Sequence, residues 1–367
     1  MQPLIKWPGG KSTEIEYIKD IIPPFDRYVE PFCGGAAVFF HLEPKKALIN
    51  DISQNLTSFY NLIKIKDDNF KTYMYDLNKM WDEIKIKANK NIHKIVSIYK
   101  QYKVNASEKE DVKNKLNIIS ENLFLNENIE IIDIKLLIKE VKRMLSDKFF
   151  RTIKNEIKNN KDLSNIDLEE NLLTGIASGI YMAVRTTLNG LDKETKLNDS
   201  EYSKKIACFY FIREFCYGSM FRYNKSGDFN IPYGGKGYNH KDYKKKLDIL
   251  FGQNTYELLK NTNIQCGDFE LIFNHLKVND FVFIDPPYDT NFSDYENKSF
   301  DKNDQERLSK ILEITKAKFI LIIKNTPYIF KLYNKECFKI KSFDNSYSYC
   351  VKNRNNRKVE HLIITNF

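Results

Sequence analysis

The stretch Phe281-Val282-Phe283-Ile284-Asp285-Pro286-Pro287-Tyr288 sets an unbroken apolar run against an acid and two prolines. Bulky side chains in succession, bounded by turn residues, predict a strand buried on both faces, as in the interior of a parallel sheet. Proline has no N–H to donate to a sheet ladder, so the strand has to stop at Asp285 and pass into a stiff loop. In open α/β sheets ligands bind beyond the carboxyl ends of the strands, and that is where this loop falls.

The same pattern returns at Tyr28-Val29-Glu30, Ala47-Leu48-Ile49-Asn50, Phe319-Ile320-Leu321-Ile322-Ile323 and Leu362-Ile363-Ile364-Thr365. Several of these runs end in a Gly, Pro or Asp cluster and lead into helical periodicity, the alternation that builds an α/β fold on a parallel sheet. From about Asn69 to Leu172 the strand-like runs fade, and Lys, Asn, Ile and Glu at helical spacing replace them. Ile134, Ile138, Val141 and Leu145 are spaced there to form one helix face. The block reads as a helical insertion of roughly 100 residues, apolar enough to pack, rather than a linker.

The loop after Phe281–Ile284 suits one kind of chemistry. An amine conjugated to a purine ring is a weak nucleophile, because its lone pair is delocalised into the ring. A carboxylate and a backbone carbonyl that both accept its hydrogen bonds localise that pair and aim it at a methyl sulfonium. Asp285 supplies the carboxylate, Pro286 and Pro287 fix where the carbonyl points, and Tyr288 offers a flat face to a base that has left its stack. The plainer reading of these four residues is a turn after a buried strand, with Tyr288 filling a gap.

Glu30-Pro31-Phe32-Cys33-Gly34-Gly35-Ala36-Ala37 follows the first run, where small residues let a backbone approach a ligand and start a helix. It is not the Gly-x-Gly-x-x-Gly fingerprint. About 20 residues on, Asp51 closes the second run, the place where an acid takes ribose hydroxyls. Together they suggest an adenosine ligand. Lys6-Trp7-Pro8-Gly9-Gly10-Lys11-Ser12 resembles the end of a phosphate loop, but Ile5 stands where the first glycine is required and no strand precedes it.

The chain has 367 residues, 42% of them hydrophobic and 14% aromatic, enough for one large core or two moderate ones. No apolar run approaches the roughly 18 residues of a membrane span. Its first residues lack the basic and long apolar segments of a signal peptide, so a cytoplasmic location is expected. Six cysteines without close pairing and five scattered histidines predict reduced thiols and no metal site.

The net charge of +9 favours an anionic partner and is unevenly spread. Arg213 to Lys246 holds eight basic and three acidic side chains, and Lys339 to Lys358 six and one, whereas Asp82 to Glu170 is nearly balanced at 18 and 16. Within the first basic stretch, Tyr217 to Tyr233 interleaves aromatics with Arg222 and Lys225 around a Lys225-Ser226-Gly227 turn. That suits a hairpin laid against DNA, with Arg222 able to pair with guanine. The plainer alternative is a solvated hairpin with its aromatics on a buried face.

With these pieces in this order, the chain resembles the Dam-type family of DNA adenine N6-methyltransferases. The matches are Lys-Trp-x-Gly-Gly-Lys, Glu-Pro-Phe-x-Gly-Gly, Asn50-Asp51, the Phe-Arg-Tyr-Asn hairpin, Cys266-Gly267-Asp268-Phe269 and Asp-Pro-Pro-Tyr. Phe292, Tyr295 and Phe300 after the loop, and Arg357-Lys358-Val359-Glu360 before the last run, add to them. The resemblance covers about residues 1–65 and 205–367. It implies a Rossmann-like α/β fold with a seven-stranded sheet for S-adenosyl-L-methionine in residues 1–65 and 262–367. Residues 66–261 would form a helical and hairpin target-recognition domain, including the insertion at about 69–172.

Carried over position by position, the resemblance puts Trp7, Lys11, Phe32, Cys33, Gly34, Gly35, Asp51, Asp268, Phe269, Asp285 and Tyr295 around the cofactor. It puts Asp285, Pro286, Pro287 and Tyr288 at a flipped adenine of double-stranded DNA. Tyr217 matches a residue that wedges into the base stack. Lys6, Met220, Arg222 and Pro232 match positions that read bases in members methylating GATC, and Asn224 lies among them as a further DNA contact. Ala36 departs from the second loop glycine of many members, and the insertion has no counterpart in compact ones.

Cytosine C5 methylation is excluded, since it needs a thiol nucleophile, usually in a Pro-Cys pair, and no cysteine here follows a proline. Methylation of cytosine N4, RNA or a protein amide stays open, as does a non-catalytic DNA-binding relative. Target site, oligomeric state and pairing with a restriction endonuclease are not legible in the sequence.

Overall fold

The computed structural model describes residues 1–9, 14–104, 107–125, 129–287, 300–346 and 358–367. They divide into two units: one is 1–66, 220–227 and 250–367, the other 67–219 and 228–249.

The first unit holds a seven-stranded sheet made of β1 (Arg27–Glu30), β2 (Ala47–Asp51), β3 (Thr262–Cys266), β4 (Asp280–Ile284), β5 (Lys318–Lys324), β6 (Lys339–Ser346) and β7 (Lys358–Thr365). Their order is β3-β2-β1-β4-β5-β7-β6. The first five are parallel, and β7 pairs antiparallel with both β5 and β6. All five expected strands are present. β4 is buried along its whole length, as its unbroken apolar run requires.

Side chains alternate across the sheet. Val29, Val282 and Ile284 join the core under Leu308 and Leu312, while Tyr28 and Phe281 face the other way and meet Phe25 and Phe39. Each such side chain, fully buried, stabilises the fold by about 1.5–3 kcal/mol. Arg27 and Asp280 are register partners at the starts of β1 and β4, and the guanidinium holds the carboxylate through Nε at 3.0 Å and Nη2 at 2.5 Å.

Among the described residues, the helices of this unit are α1 (Ile15–Ile18), α2 (Ala37–Leu42), α3 (Gln54–Lys64), α11 (Glu270–Phe273), α12 (Lys302–Ile314) and α13 (Pro327–Tyr333), with α10 (Gln253–Lys260) leading into β3. Their starts follow from local chemistry. Ser53 caps α3, Thr326 caps α13 with Pro327 in its first turn, and Asp301 with Asp304 forms a capping box on α12.

The second unit is helical: α4 (Asp68–Lys103), α5 (Lys109–Asn122), α6 (Ile134–Asn159), α7 (Asn165–Lys193), α8 (Asp199–Phe215) and most of α9 (Tyr243–Leu250). The 69–172 block is helical as expected, and its last helix runs on to Lys193. The buried apolar face of α6 keeps Val141 and Leu145 of the predicted stripe and adds Leu137 and Phe149, with Ile134 and Ile138 only half-buried beside it. Gly179 lets α7 close on Val141, which the predicted and the observed stripes share. A Cβ at Gly179 would stand 2.4 Å from the Val141 Cα. Trp81 of α4 is fully buried against Phe215, at 4.5 Å between ring centroids.

No helix of the described residues is long and apolar enough to cross a membrane.

Candidate active site

Parallel β1, β2, β3 and β4 deliver four loops to one edge of the sheet: 31–36, 51–53, 267–269 and 285–287. The chain runs outward from β1 to β3 and then returns to β4 on the other side of β1. That reversal opens a crevice between β1 and β4, the place where α/β sheets take ligands. A cavity of about 240 Å³ lies there, lined by residues that include Trp7, Phe32, Cys33, Gly34, Gly35, Asp51, Asp268, Phe269, Asp285, Pro286 and Pro287.

The turn after β1 is held from several sides. Gly34 has φ +47°, and a Cβ there would stand 2.7 Å from Cδ1 of Trp7. Its N–H donates to Oδ2 of Asp51 at 2.9 Å, while Oδ1 of the same carboxylate accepts from the Ser53 N–H at 2.9 Å. The Tyr60 hydroxyl donates to the Gly34 carbonyl at 3.0 Å. Asn50 ties two loops together, donating to the Pro31 carbonyl at 2.9 Å and the Gly267 carbonyl at 3.0 Å. Ala36 is also left-handed, at φ +52°. A glycine at this position would therefore answer to backbone conformation as well as size.

One wall is aromatic. Phe32 lies 5.2 Å from Phe269 and 5.5 Å from Phe300 between ring centroids. Arg307 of α12 sits 4.8 Å over the Phe269 ring and pairs with Asp268, Glu270 and Asp304. Burial pushes the Asp268 carboxyl up, but the Arg307 hydrogen bond and charge, with the Glu270 N–H, bring it below the usual carboxylate value.

Glu30, at the carboxyl end of β1, is buried in the cavity wall and accepts from the Tyr28 hydroxyl at 2.9 Å. Burial pushes its carboxyl well up; the Tyr28 hydrogen bond opposes this, and the charges of Asp285 and Asp51 add to it. A carboxyl raised in this way favours its neutral form and spares the crevice a further negative charge. The Cys33 thiol is pushed up in the same way, by burial and then by Asp51 and Glu30.

The expected DNA-reading residues fall into two groups. Tyr217 and Pro232 are both exposed in the helical unit, joined where the Tyr217 N–H donates to the Pro232 carbonyl at 2.9 Å beside a Cys216–Tyr233 bridge. Met220, Arg222 and Asn224 belong to the 220–227 segment of the sheet unit, as does Lys6. Asn224 opens a turn closed by the Gly227 N–H at 3.0 Å, and Arg222 is exposed. Phe221, between Met220 and Arg222, meets Trp7 edge-on at 4.8 Å. The 220–227 segment therefore touches a wall of the cavity.

Lys11, Tyr288 and Tyr295 lie outside the described residues. Sequence reasoning missed Glu30, Asn50, Asp304 and Arg307 as site residues, although Glu30 and Asn50 flank motifs it had found.

A Rossmann-like sheet of this order, with its acids gathered around a crevice at the switch point, defines a methyltransferase fold. The sequence pattern of the D12 class N6 adenine-specific DNA methyltransferases matches residues 7–118 and 143–349, and the chain belongs to that family. It is similar to a type II methyltransferase, M.MjaIII, of Methanocaldococcus jannaschii, at 26% identity over 93% of this chain and 90% of the relative. A type II methyltransferase of Paramecium bursaria Chlorella virus NC1A, M.CviBI, is 26% identical over 91% and 87%. A DNA adenine methylase of Vibrio cholerae is 22% identical over 85% and 76%. The activity is methyl transfer to adenine in DNA.

Proposed function

We propose that the methyl donor is S-adenosyl-L-methionine and that Asp285 and Pro286 hold the N6 amine of an adenine flipped out of duplex DNA. One observation carries this: a single crevice at the carboxyl edge of the sheet is lined by Asp51, Asp268 and Asp285. Its residues fit such a donor. Phe32, Phe269 and Phe300 form an apolar slot for a purine, and Gly34 keeps the backbone within reach where a Cβ would strike Trp7. Asp51 is the acid for ribose hydroxyls, and Asp268 the acceptor for an amino group. When bound, the donor supplies an electrophilic methyl on a sulfonium.

The protein's own part is to position and to hold a proton. Asp285 and the Pro286 carbonyl accept the two N6 hydrogens, turning the amine lone pair toward the crevice. The Asp285 carboxylate then takes up the proton that N6 sheds. Burial raises the Glu30 carboxyl, which favours its uncharged form and lowers the repulsion that a second carboxylate would exert on Asp285.

The helical unit, with Tyr217 and Pro232, is proposed to read the target together with Lys6, Met220, Arg222 and Asn224. GATC is the first sequence to try. Two of the relatives are named type II methyltransferases, so a restriction endonuclease of the same specificity is the partner to look for.

The test is to incubate the purified chain with unmethylated plasmid and S-adenosylmethionine and to sequence N6-methyladenine at single-base resolution. Modification in one recurring context is expected from the wild type and none from Asp285→Ala, with the fold and DNA binding retained. Wild-type turnover by Asp285→Ala would overturn the mechanism.

A further inference from the structure

The first turns of α12 carry a residue out of keeping with its place. Residues 305, 308, 309 and 312 form the buried face of this helix, at i, i+3, i+4 and i+7. Leu308 and Leu312 are the apolar side chains such a face calls for, but its first position is Gln305, which is 0% exposed. Burying a primary amide is destabilising unless its hydrogen bonds are made. Only half of this one is accounted for. Nε2 donates to the Pro287 carbonyl at 3.4 Å, and Oε1 has no partner among the described residues. An apolar side chain of similar length would satisfy the core better. A local choice that works against stability marks a place where function sets the residue.

The acceptor identifies that function. Pro287 follows Pro286 in the loop after β4, and its peptide group is one of the few polar handles there, because neither proline has an N–H. A carbonyl on a two-proline loop is steered only from outside. The Gln305 amide grips it from a helix whose own start is fixed by the Asp301–Asp304 capping box. Two residues on, Arg307 of the same helix grips Asp268.

We propose that Gln305 is a positioning residue for methyl transfer: by holding the Pro287 carbonyl it sets the direction of the adjoining Pro286 carbonyl and of Asp285. This rests on the reading that Asp285 and Pro286 hold the target amine. Gln305 does not touch the amine. It acts through the loop, so its loss lowers the chemical rate and leaves donor binding alone.

The experiment uses the full chain, unmethylated plasmid and S-adenosylmethionine, and compares Gln305→Met and Gln305→Glu with wild type. Gln305→Met keeps length and removes the donor. Its single-turnover rate is expected to fall about three- to tenfold, the loss of one hydrogen bond. Its thermal midpoint should equal or exceed that of wild type, and its donor dissociation constant should stay within about twofold. Gln305→Glu can donate only when protonated, and burial raises a carboxyl pKa. Its rate relative to wild type should therefore climb as pH falls from about 8 to 6.

A Gln305→Met variant with wild-type rate, or one that loses rate and stability together, would show that Gln305 only fills the core. A Gln305→Glu profile parallel to wild type would overturn the proposal too. Asp285→Ala separates the two levels. If it is inactive while Gln305→Met is fully active, the positioning role alone fails; if it is active, the amine-holding reading fails first.

Discussion

Arg307 grips Asp268 at both carboxylate oxygens, Nη1 to Oδ1 at 3.3 Å and Nη2 to Oδ2 at 2.9 Å, while its guanidinium lies over the Phe269 ring. This fixes the direction of an acid whose proposed task is to recognise the methyl donor. It also keeps that acid ionised.

The sign of the pH effect follows from that pairing. The Asp268 carboxyl lies below its ordinary value in the folded chain. Its contribution is therefore present above the ordinary carboxylate range and is lost as pH falls through the depressed value. Arg307→Met leaves burial, which pushes the carboxyl up, without its main opposition. Donor affinity measured by calorimetric titration between pH 4 and 7 should begin to fail at a higher pH in the variant than in wild type. Superimposable acid limbs would show that Asp268 does not bind the donor.

Gly34 combines a left-handed backbone with a wall of indole at its missing side chain. Gly34→Ala would add about 1–2 kcal/mol of backbone strain and drive Trp7 from its place. The thermal midpoint should fall, and donor affinity should fall by about tenfold or more because the cavity wall moves. Unchanged affinity in a destabilised variant would place Trp7 outside the donor site.

Ala36, two residues on, predicts the opposite sign. It is held at φ +52° and ψ +41° at the start of α2. Ala36→Gly relieves about 1–2 kcal/mol of left-handed strain, offset by about 0.5–1 kcal/mol of extra freedom in the unfolded chain. A net gain of about 0.5–1 kcal/mol is expected, read as a rise of roughly 1–3 °C in the midpoint. A fall would mean that the Ala36 methyl group packs better than its backbone is strained.

How far the sequence could be read depended on burial. The five strands seen in advance are interior runs such as Phe281–Ile284, whose neighbours on both sides and both faces demand unbroken apolar residues. β3 and β6 went unread because they are the two edges of the sheet. Thr262-Asn263-Ile264-Gln265-Cys266 has solvent along one side and needs no apolar run. The site was legible where a motif is contiguous, as at Asp285 and Gly34. Arg307 and Gln305 come from a helix outside those motifs, and only the polar side chain at an apolar position of its stripe could have given Gln305 away.

Arg222 is exposed and lies next to Phe221, which packs against Trp7 of the cavity wall. A guanidinium held there is suited to the paired O6 and N7 acceptors of a guanine. Arg222→Ala should leave donor binding unchanged and cost about 1–3 kcal/mol of discrimination at one base of the target. Sequencing methylated adenines from randomised target duplexes would show relaxed preference at that base alone. A uniform loss of activity across all sequences, with a shallower salt dependence of binding, would instead make Arg222 a phosphate contact. The reading of that base would then pass to Met220 or Lys6.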